Sequence, residues 1–434
     1  MQGDTRMSEI AVIGAGAAGV QAALDAANRG IKVHLIEREP SIGGRMAQLD
    51  KTFPTNDCSM CILSPKMVEA ERNENIVIHT LTEPVGLEGN VGDFKLRLLR
   101  HPRYVNAGLC NGCGDCYEVC PVEVYNRYDA GLGVRKAIYK PHAQVVPNLA
   151  IRDPEHCIDC GLCYDVCGRE AVLHDDEDGE EEFTINVAAI ILATGYDTYD
   201  PEEKPGFMYL RHPDVITSLE FERMICASGP TGGKLRKLSD GKTPESIVFI
   251  QCIGSRDLTI DRCYCSCVCC MYAIKNAMLI KEKNPDADIV MLYMDIRAYG
   301  KGYEEYYERA KSLGIRFIRG RPGEILEAPG RRLEIPVEDT ENGEFLRLEP
   351  DLVILSVGMQ PSKGAERIAE IFGINREDSG FFSSPEMKLN PVGTIRPGIY
   401  VAGAASAPKD IPDSVTQGEA AAMKAFLDTL RAGA

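Results

Sequence analysis

The sequence predicts an α/β fold of two Rossmann-like domains, with a small cysteine-rich domain inserted into the first. Three observations predict it. A strand, a glycine turn, a helix, a second strand and an acid follow in register from Ile10 to Glu37. Eight cysteines in two matching runs interrupt the chain between Cys110 and Cys167. A further alternation of strand-type and helix-type segments lies between residues 245 and 355, with cysteines where its own glycine turn would open. At 434 residues there is length for two or three domains with sizeable cores.

Composition bounds the function before any motif is read. Forty-eight basic residues stand against 65 acidic ones, a net charge of −17, which argues against nucleic acid as a partner. The run D-D-E-D-G-E-E-E at 175–182 reads as an exposed, solvated turn. No apolar stretch reaches the length of a bilayer crossing, and the first residues carry no secretory core. The expectation is a soluble, cytoplasmic protein without membrane insertion, with Met1 to Arg6 a flexible tail and Met7 opening the fold. Seventeen cysteines are many for such a chain. Their odd number and tight spacings fit metal ligands or redox thiols better than a disulfide framework.

The first element is I-A-V-I-G-A-G-A-A-G, which runs from a strand into an Ala-rich helix, and I-K-V-H-L-I-E then ends a second strand on Glu37. In such a turn Gly14 permits the tight bend, Gly16 lets a pyrophosphate approach, and Gly19 lets the helix pack on the strand. Glu37 would hydrogen-bond a ribose hydroxyl. Three later segments choose the dinucleotide. P-S-I-G-G-R (40–45), with Gly44 and Arg45, resembles the Gly-Gly turn of FAD-containing enzymes of the disulfide-reductase type. A-A-I-I-L-A-T-G (188–195), with Thr194 and Gly195, resembles the strand and turn by which their chains return to the first domain. P-G-I-Y-V-A-G-A-A (397–405), with Gly403, resembles their strand at the flavin ribityl–phosphate region, with Ala404 where an acid is usual. Gln417 and Gly418 would start the helix that closes on the flavin. FAD rather than NAD is therefore expected, in a domain closed by both chain ends.

The second element is the insert. Cys110, Cys113, Cys116 and Cys120 stand in C-x2-C-x2-C-x3-C-P spacing, and Cys157, Cys160, Cys163 and Cys167 repeat it with Gly168 in place of the proline. This is the bacterial two-cluster ferredoxin pattern, in which the fourth cysteine of each run ligates the other cluster. One 4Fe–4S cluster is thus assigned to Cys110, Cys113, Cys116 and Cys167, and the other to Cys157, Cys160, Cys163 and Cys120.

The third element alternates a strand at 246–251, a helical stretch at 268–283, a strand at 288–294 and another at 352–357. That outline resembles the pyridine-nucleotide domain of thioredoxin-reductase-like proteins, but the phosphate loop is missing. Six cysteines fall within 19 residues instead, from Cys252 to Cys270. No NAD(P)H site is expected, and a stand-alone NAD(P)H-dependent flavoprotein reductase is disfavoured on that ground. The expected division is 7–99, 184–243 (with linker) and 380–434 for the FAD-binding domain, 100–183 for the insert and 244–379 for the degenerate second domain.

Q-C-I-G-S-R, followed by Y-C-S-C-V-C-C-M-Y-A-I-K, is similar to the A-type subunit of heterodisulfide reductase, the flavin-bearing component of methanogen-type complexes. N-D-C-S-M-C-I-L-S-P-K-M (56–67) and the doubled insert fit the same family. The resemblance implies a third, non-standard 4Fe–4S cluster on Cys252, Cys265, Cys269 and Cys270, with Cys263 and Cys267 as substitute ligands. It also implies a lysine, Lys275, near the flavin N5, whose charge would favour reduced, anionic flavin; on sequence alone, a lysine there is a surface helix residue. Longer members carry further N- and C-terminal modules, which partners would have to supply here. In this respect the chain also resembles the short A-type subunit of the quinone-interacting membrane-bound oxidoreductase of sulfate reducers.

Cys58 and Cys61 form a C-x2-C beyond Gly44 with three open readings: a redox dithiol beside the flavin, ligands of a further cluster shared with a partner, or two packed thiols. Cys226 reads as an ordinary buried thiol, and the seven histidines make no metal-type pair. The function implied is an FAD and iron–sulfur electron-transfer subunit of a hetero-oligomeric complex, dimeric forms included. It would perform flavin-based electron bifurcation between ferredoxin and a disulfide-type acceptor held by B- and C-type subunits, with a hydrogenase or formate dehydrogenase as electron input. The alternative is a component of a membrane-associated, quinone-linked oxidoreductase.

Overall fold

A computed structural model describes residues 9–432; the N-terminal tail and Met7 lie outside the described residues. The chain forms two compact units. One holds the residues up to Ala47, Met60–Tyr196 and those from Pro361 onward; the other holds Gln48–Ser59 and Asp197–Gln360.

The first unit is built on a five-stranded parallel sheet in the order Ile399–Val401, Ala189–Leu192, Glu9–Ile13, Lys32–Ile36, Ile76–His79. Parallel strands covered on both faces need continuous apolar runs, which A-I-I-L and I-Y-V provide, buried throughout. On one face the helices Ala17–Ala27 and Ile411–Ala432 pack through Val20, Ala23, Leu24, Ala421 and Ala425. Small residues let these helices approach closely: a Cβ on Gly418 would lie 2.5 Å from the Ala18 carbonyl oxygen. The other face is covered by an antiparallel sheet whose central strand, Asp93–Arg100, buries Phe94, Leu96 and Leu98 at alternate positions. Sheet closure by segments near residues 10, 190 and 400 agrees with the expectation of a domain completed by both chain ends.

The insert leaves at Arg100 and returns at Glu181, residues that face each other in the paired strands. It has a small core of its own around Val105, Ile138, Ala150 and Val172. Its attachment was not legible in sequence. Val146 N donates to Ser41 Oγ (3.0 Å), Ile42 N donates to the Val146 carbonyl (2.9 Å), and buried Arg103 donates to the Pro40 carbonyl (3.0 Å) and Thr80 Oγ1 (2.7 Å). The insert thereby grips the turn just before Gly43 and Gly44. The acidic run is correspondingly less idle than a solvated turn. Asp178 accepts from the amides of Arg103 (2.9 Å) and Tyr104 (2.8 Å), Asp175 pairs with Arg152, and Glu181 and Glu182 already lie in a strand.

The second unit carries another five-stranded parallel sheet, ordered Val215–Thr217, Leu352–Val357, Ser246–Ile253, Asp288–Tyr293, Arg316–Arg319. The expected segments at 246–251, 268–283, 288–294 and 352–357 appear as Ser246–Ile253, Cys269–Lys283, Asp288–Tyr293 and Leu352–Val357. The expected boundaries at 244 and 379 need correction. Val215–Thr217 is an edge strand of this sheet, so the unit's main segment runs from Asp197 to Gln360, and helix Ala365–Phe372 packs into the first unit through Ala365, Ala369 and Phe372. Among the described residues no helix is long and apolar enough to cross a membrane.

Candidate functional site

The residues singled out in the N-terminal fingerprint converge in the first unit. Gly14 has φ +97°, and a Cβ there would lie 2.4 Å from the Ala193 carbonyl oxygen. Gly19 lies against Gly14 itself, with 1.9 Å between a built Cβ and the Gly14 carbonyl oxygen. Gly16 is different: a Cβ would meet only Gly44 Cα, 4.0 Å away. The helix that starts there has no side-chain cap and no acid in its first turn, so its first amides are free to face an anion. Gly44, with φ +57°, brings its backbone against Gly16 from the other side. Glu37 ends its strand with Oε2 accepting from Ala15 N (2.8 Å) and Oε1 from Glu39 N (3.0 Å), while burial pushes its carboxyl above the usual range. Thr194 Oγ1 is buried without a partner next to this turn, and Gly195 follows with φ +68° and open space around it. Gly403 has φ +66°, and Gln417 Oε1 accepts from Ser406 Oγ (3.2 Å). An open glycine cradle, uncapped amides and an orphaned hydroxyl fit a dinucleotide pyrophosphate. A sharp contrast is therefore expected: Gly19→Ala should destabilise this unit, because backbone blocks the new methyl. Gly16→Ala should leave the melting temperature nearly unchanged but weaken flavin binding about ten-fold or more, since its methyl fills the cradle. Equilibrium flavin titration beside thermal unfolding separates the two.

The insert gathers its cysteines around Cys116 and Cys163, both buried, with Cys110, Cys120 and Cys167 packed on the same core. A pocket is lined by Cys120, Cys157, Cys160 and Cys163, the four thiols assigned to one cluster by the crossed pattern. Burial, followed by the neighbouring Cys110, Cys113, Cys163 and Cys167, pushes the Cys116 thiol up to about 12. Thiols packed this densely resist ionising together, and a polynuclear metal centre relieves that by taking them as thiolates. Backbone amides already point at three of the sulfurs: Gly112 N at Cys110 (3.4 Å), Asp159 N at Cys157 (3.4 Å) and Ala171 N at Cys167 (3.3 Å).

In the second unit the cysteines occupy the place of a phosphate loop. Ser246–Ile253 and Leu352–Val357 are the two neighbouring strands at which the sheet order reverses, the position where α/β sheets hold ligands. Cys252 has φ +61° at the end of the first. Cys269 and Cys270 open the next helix, which has no side-chain cap. Its neighbours Cys252 and Cys270, together with burial, push the Cys269 thiol well above the usual range. Cys265 is held down to about 6, first by its hydrogen bond with Cys267, against the opposing effect of burial, and then by the Cys267 amide, Arg297 and Arg256. Cys263 is exposed. Gln251, only 2% exposed, has both side-chain amide atoms without partners, one residue from Cys252. Four neighbouring thiols, cationic side chains and a spare buried donor fit an iron–sulfur centre.

The loop carrying these thiols is stapled by two buried serines. Ser255 and Ser266 share a hydrogen bond of 2.5 Å, and Met359 N donates to Ser266 Oγ (2.8 Å). A Cβ on Gly358 would lie 2.2 Å from Ser255 Oγ and 2.6 Å from Ser266 Oγ. Gly358→Ala should therefore cost about 1–3 kcal/mol and lower the iron-to-flavin ratio; an unchanged ratio would show that the staple does not hold the thiols.

Other expectations are corrected. Lys275 is no surface residue: at 1% side-chain exposure it pairs with Glu222, which the sequence did not single out, and donates to the Lys51 carbonyl (3.0 Å). A signal existed in the capping box Thr217–Glu220, which sets a short helix whose Glu222 and Arg223 are both buried. Cys58 and Cys61 are joined in a disulfide, unlike the other cysteines. Cys226 is half-buried rather than buried, its Sγ 3.3 Å from Ser228 Oγ. Two histidines do meet, His34 Nδ1 lying 2.9 Å from His79 Nε2, but His34 Nε2 is turned away to Glu9 and the two rings share no common centre.

Residues 9–58 match the model of FAD dependent oxidoreductases, and residues 109–172 match that of 4Fe-4S dicluster domains. The chain is 51% identical over 421 residues to the A-type subunit of the H(2):CoB-CoM heterodisulfide,ferredoxin reductase of Methanothermobacter marburgensis, covering 97% of this chain and 64% of that one. It is 56% identical over 418 residues to an A-type iron-sulfur subunit of the CoB--CoM heterodisulfide reductase of Methanopyrus kandleri, covering 95% and 63%. Over nearly its whole length the chain is thus similar to heterodisulfide reductase A-type subunits. It spans somewhat less than two thirds of the length of these relatives. Among solved structures it is similar to the thioredoxin reductase of T. acidophilum, with TM-score 0.54 and 15% identity, covering 98% of this chain and 99% of that one. The fold of this chain is thus a thioredoxin-reductase-like core carrying a dicluster insert, as the sequence led one to expect.

Proposed function

We propose that this chain is the FAD- and iron–sulfur-bearing electron-transfer part of a heterodisulfide-reductase-like complex. It would connect ferredoxin with a disulfide-type acceptor on a partner subunit by flavin-based bifurcation. What carries the reading is the second unit: a thioredoxin-reductase frame in which Cys252, Cys269 and Cys270 stand at the strand ends and helix start that would otherwise receive a nicotinamide dinucleotide. The names of the relatives, which mention hydrogen, heterodisulfide and ferredoxin, support the choice of donors and acceptors.

In this reading the amides after Gly16 and the turn at Gly44–Arg45 bind the FAD pyrophosphate, Glu37 orients its ribose, and Thr194, Gly195, Gly403 and Gln417 line its remaining length. FAD, when bound, supplies the exchange between two-electron and one-electron chemistry. Cys110, Cys113, Cys116 and Cys167 hold one 4Fe–4S cluster, and Cys157, Cys160, Cys163 and Cys120 a second. Cys252, Cys265, Cys269 and Cys270 hold a third. Arg256 and Arg297, steadied by Asp295 at 2.7 and 3.2 Å, add positive charge beside the third set and so favour its thiolates. Lys275 adds a cation that favours reduced, anionic flavin, with Glu222 as its counter-ion. B- and C-type subunits and a hydrogenase or formate dehydrogenase complete the assembly.

The test is anaerobic purification from the native source. Co-purification with a cysteine-rich catalytic partner and a hydrogenase or formate dehydrogenase, together with flavin that excess NADH or NADPH does not bleach, is the expected result. Bleaching by either nucleotide would overturn the reading, and a cytochrome-type membrane partner would replace it with the quinone-linked one.

A further inference from the structure

We propose that Cys58 and Cys61 form a redox-active disulfide that exchanges with an external dithiol or disulfide. All the cysteines assigned above as cluster ligands are free thiols, and so is Cys226; this pair alone is bonded. The bond closes only the ring of a C-x2-C motif, and the shortest loops gain least from a cross-link because they restrict the unfolded chain least. A purely structural purpose is therefore weakly served.

The position suits exchange. Cys58 ends the short strand Asp57–Cys58, and Cys61 lies in the first turn of the helix Ser59–Arg72 that follows at once. Cys61 is exposed and Cys58 half-buried, next to Ser59 at 0% exposure. An incoming thiolate therefore reaches Cys61 Sγ. It forms a mixed disulfide there and releases Cys58 as a thiolate at the positive end of a 14-residue helix, where the helix amides stabilise an anion. The second thiol of the dithiol then attacks the mixed disulfide and releases Cys61. The external dithiol leaves oxidised to its disulfide, and its two protons end on Cys58 and Cys61. Run in reverse, Cys61 attacks a substrate disulfide, which leaves as two thiols while the pair closes again.

The scaffold holds this motif from behind. Lys51 faces Cys58 across the two-stranded ladder, and its carbonyl accepts from buried Lys275 Nζ at 3.0 Å. The strand that presents Cys58 is thus anchored, while the helix turn that carries Cys61 faces solvent.

The test uses the holoprotein equilibrated anaerobically in dithiothreitol buffers of graded ratio, quenched with one alkylating agent, then reduced and labelled with another. Mass spectrometry of the peptide carrying Cys58 and Cys61 should show both cysteines moving together in one reversible two-electron transition without denaturant. Cys58→Ser and Cys61→Ser should abolish that transition and keep the wild-type iron and flavin contents. A loss of about four iron atoms per chain in either variant would overturn the proposal in favour of cluster ligation. A disulfide that opens only after denaturation would overturn it in favour of a structural bond. Free thiols across every buffer would overturn it outright.

Discussion

Cys120→Ala should remove the cluster held by Cys157, Cys160 and Cys163 and spare the one held by the rest of its own run. The pocket lined by Cys120, Cys157, Cys160 and Cys163 joins the last thiol of the first run to the first three of the second. Cys116 is buried in the same small core as Cys163, Cys110 and Cys167, where the two runs meet. The decisive measurement is the iron content of double variants. If ligation crosses between runs, Cys120→Ala combined with Cys157→Ala removes one cluster, about four iron atoms. Cys120→Ala combined with Cys110→Ala then removes both, about eight. Ligation within each run reverses these two outcomes, so a single pair of iron assays, with electron paramagnetic resonance of the reduced proteins to identify the survivor, decides between them. Each single variant should forfeit electron transfer through the insert almost completely, because a cluster missing from a two-cluster relay leaves no alternative within it.

Lys275→Met should cost the second unit about 3–5 kcal/mol, the usual penalty for stranding one partner of a buried ion pair. Lys275 and Glu222 have side-chain exposures of 1% and 3%, so neither charge has water to fall back on. The pair also organises its surroundings: Glu222 Oε2 accepts from Asp50 N at 3.1 Å, and the neighbouring Arg223 donates to the Gln48 carbonyl at 3.1 Å. Burial, and after it the negative charge of Glu222, raises the Asp50 carboxyl above its ordinary range, as expected where acids crowd one buried cation. Glu222→Leu alone should cost a similar amount. The double variant should cost much less than the sum, with a coupling of about 2 kcal/mol or more, since replacing both charges by apolar groups leaves nothing stranded. Amide hydrogen exchange is the right probe for a chain of several cofactors, and lost protection should concentrate in Gln48–Ser59. Additive costs, or a single-variant loss below about 1 kcal/mol, would mean that the pair behaves as a surface ion pair.

Much of the fold was legible because its signals are local. The glycines at 14, 16 and 19 must lie where backbone approaches backbone within one strand–turn–helix unit, and cluster ligands must recur at short intervals because one cluster spans few residues. Buried parallel strands such as I-V-F-I-Q-C-I advertise themselves as nearly unbroken apolar runs. The domain boundaries near 197 and 361 were less legible, since Val215–Thr217 is only three residues long and declares its sheet solely through its neighbour Leu352–Val357.

Residues within a few positions of one another, then, could be assigned chemistry from their types and spacing, because a turn or a helix fixes their geometry wherever it is placed. Folding alone decided which distant groups meet. Arg103 reaches Pro40, Glu222 reaches Lys275, and Ser255 and Ser266 close on Gly358. Such contacts depend on how strands are ordered and loops laid down, and a single charged or hydroxyl side chain looks the same in sequence whether solvent or a buried partner awaits it.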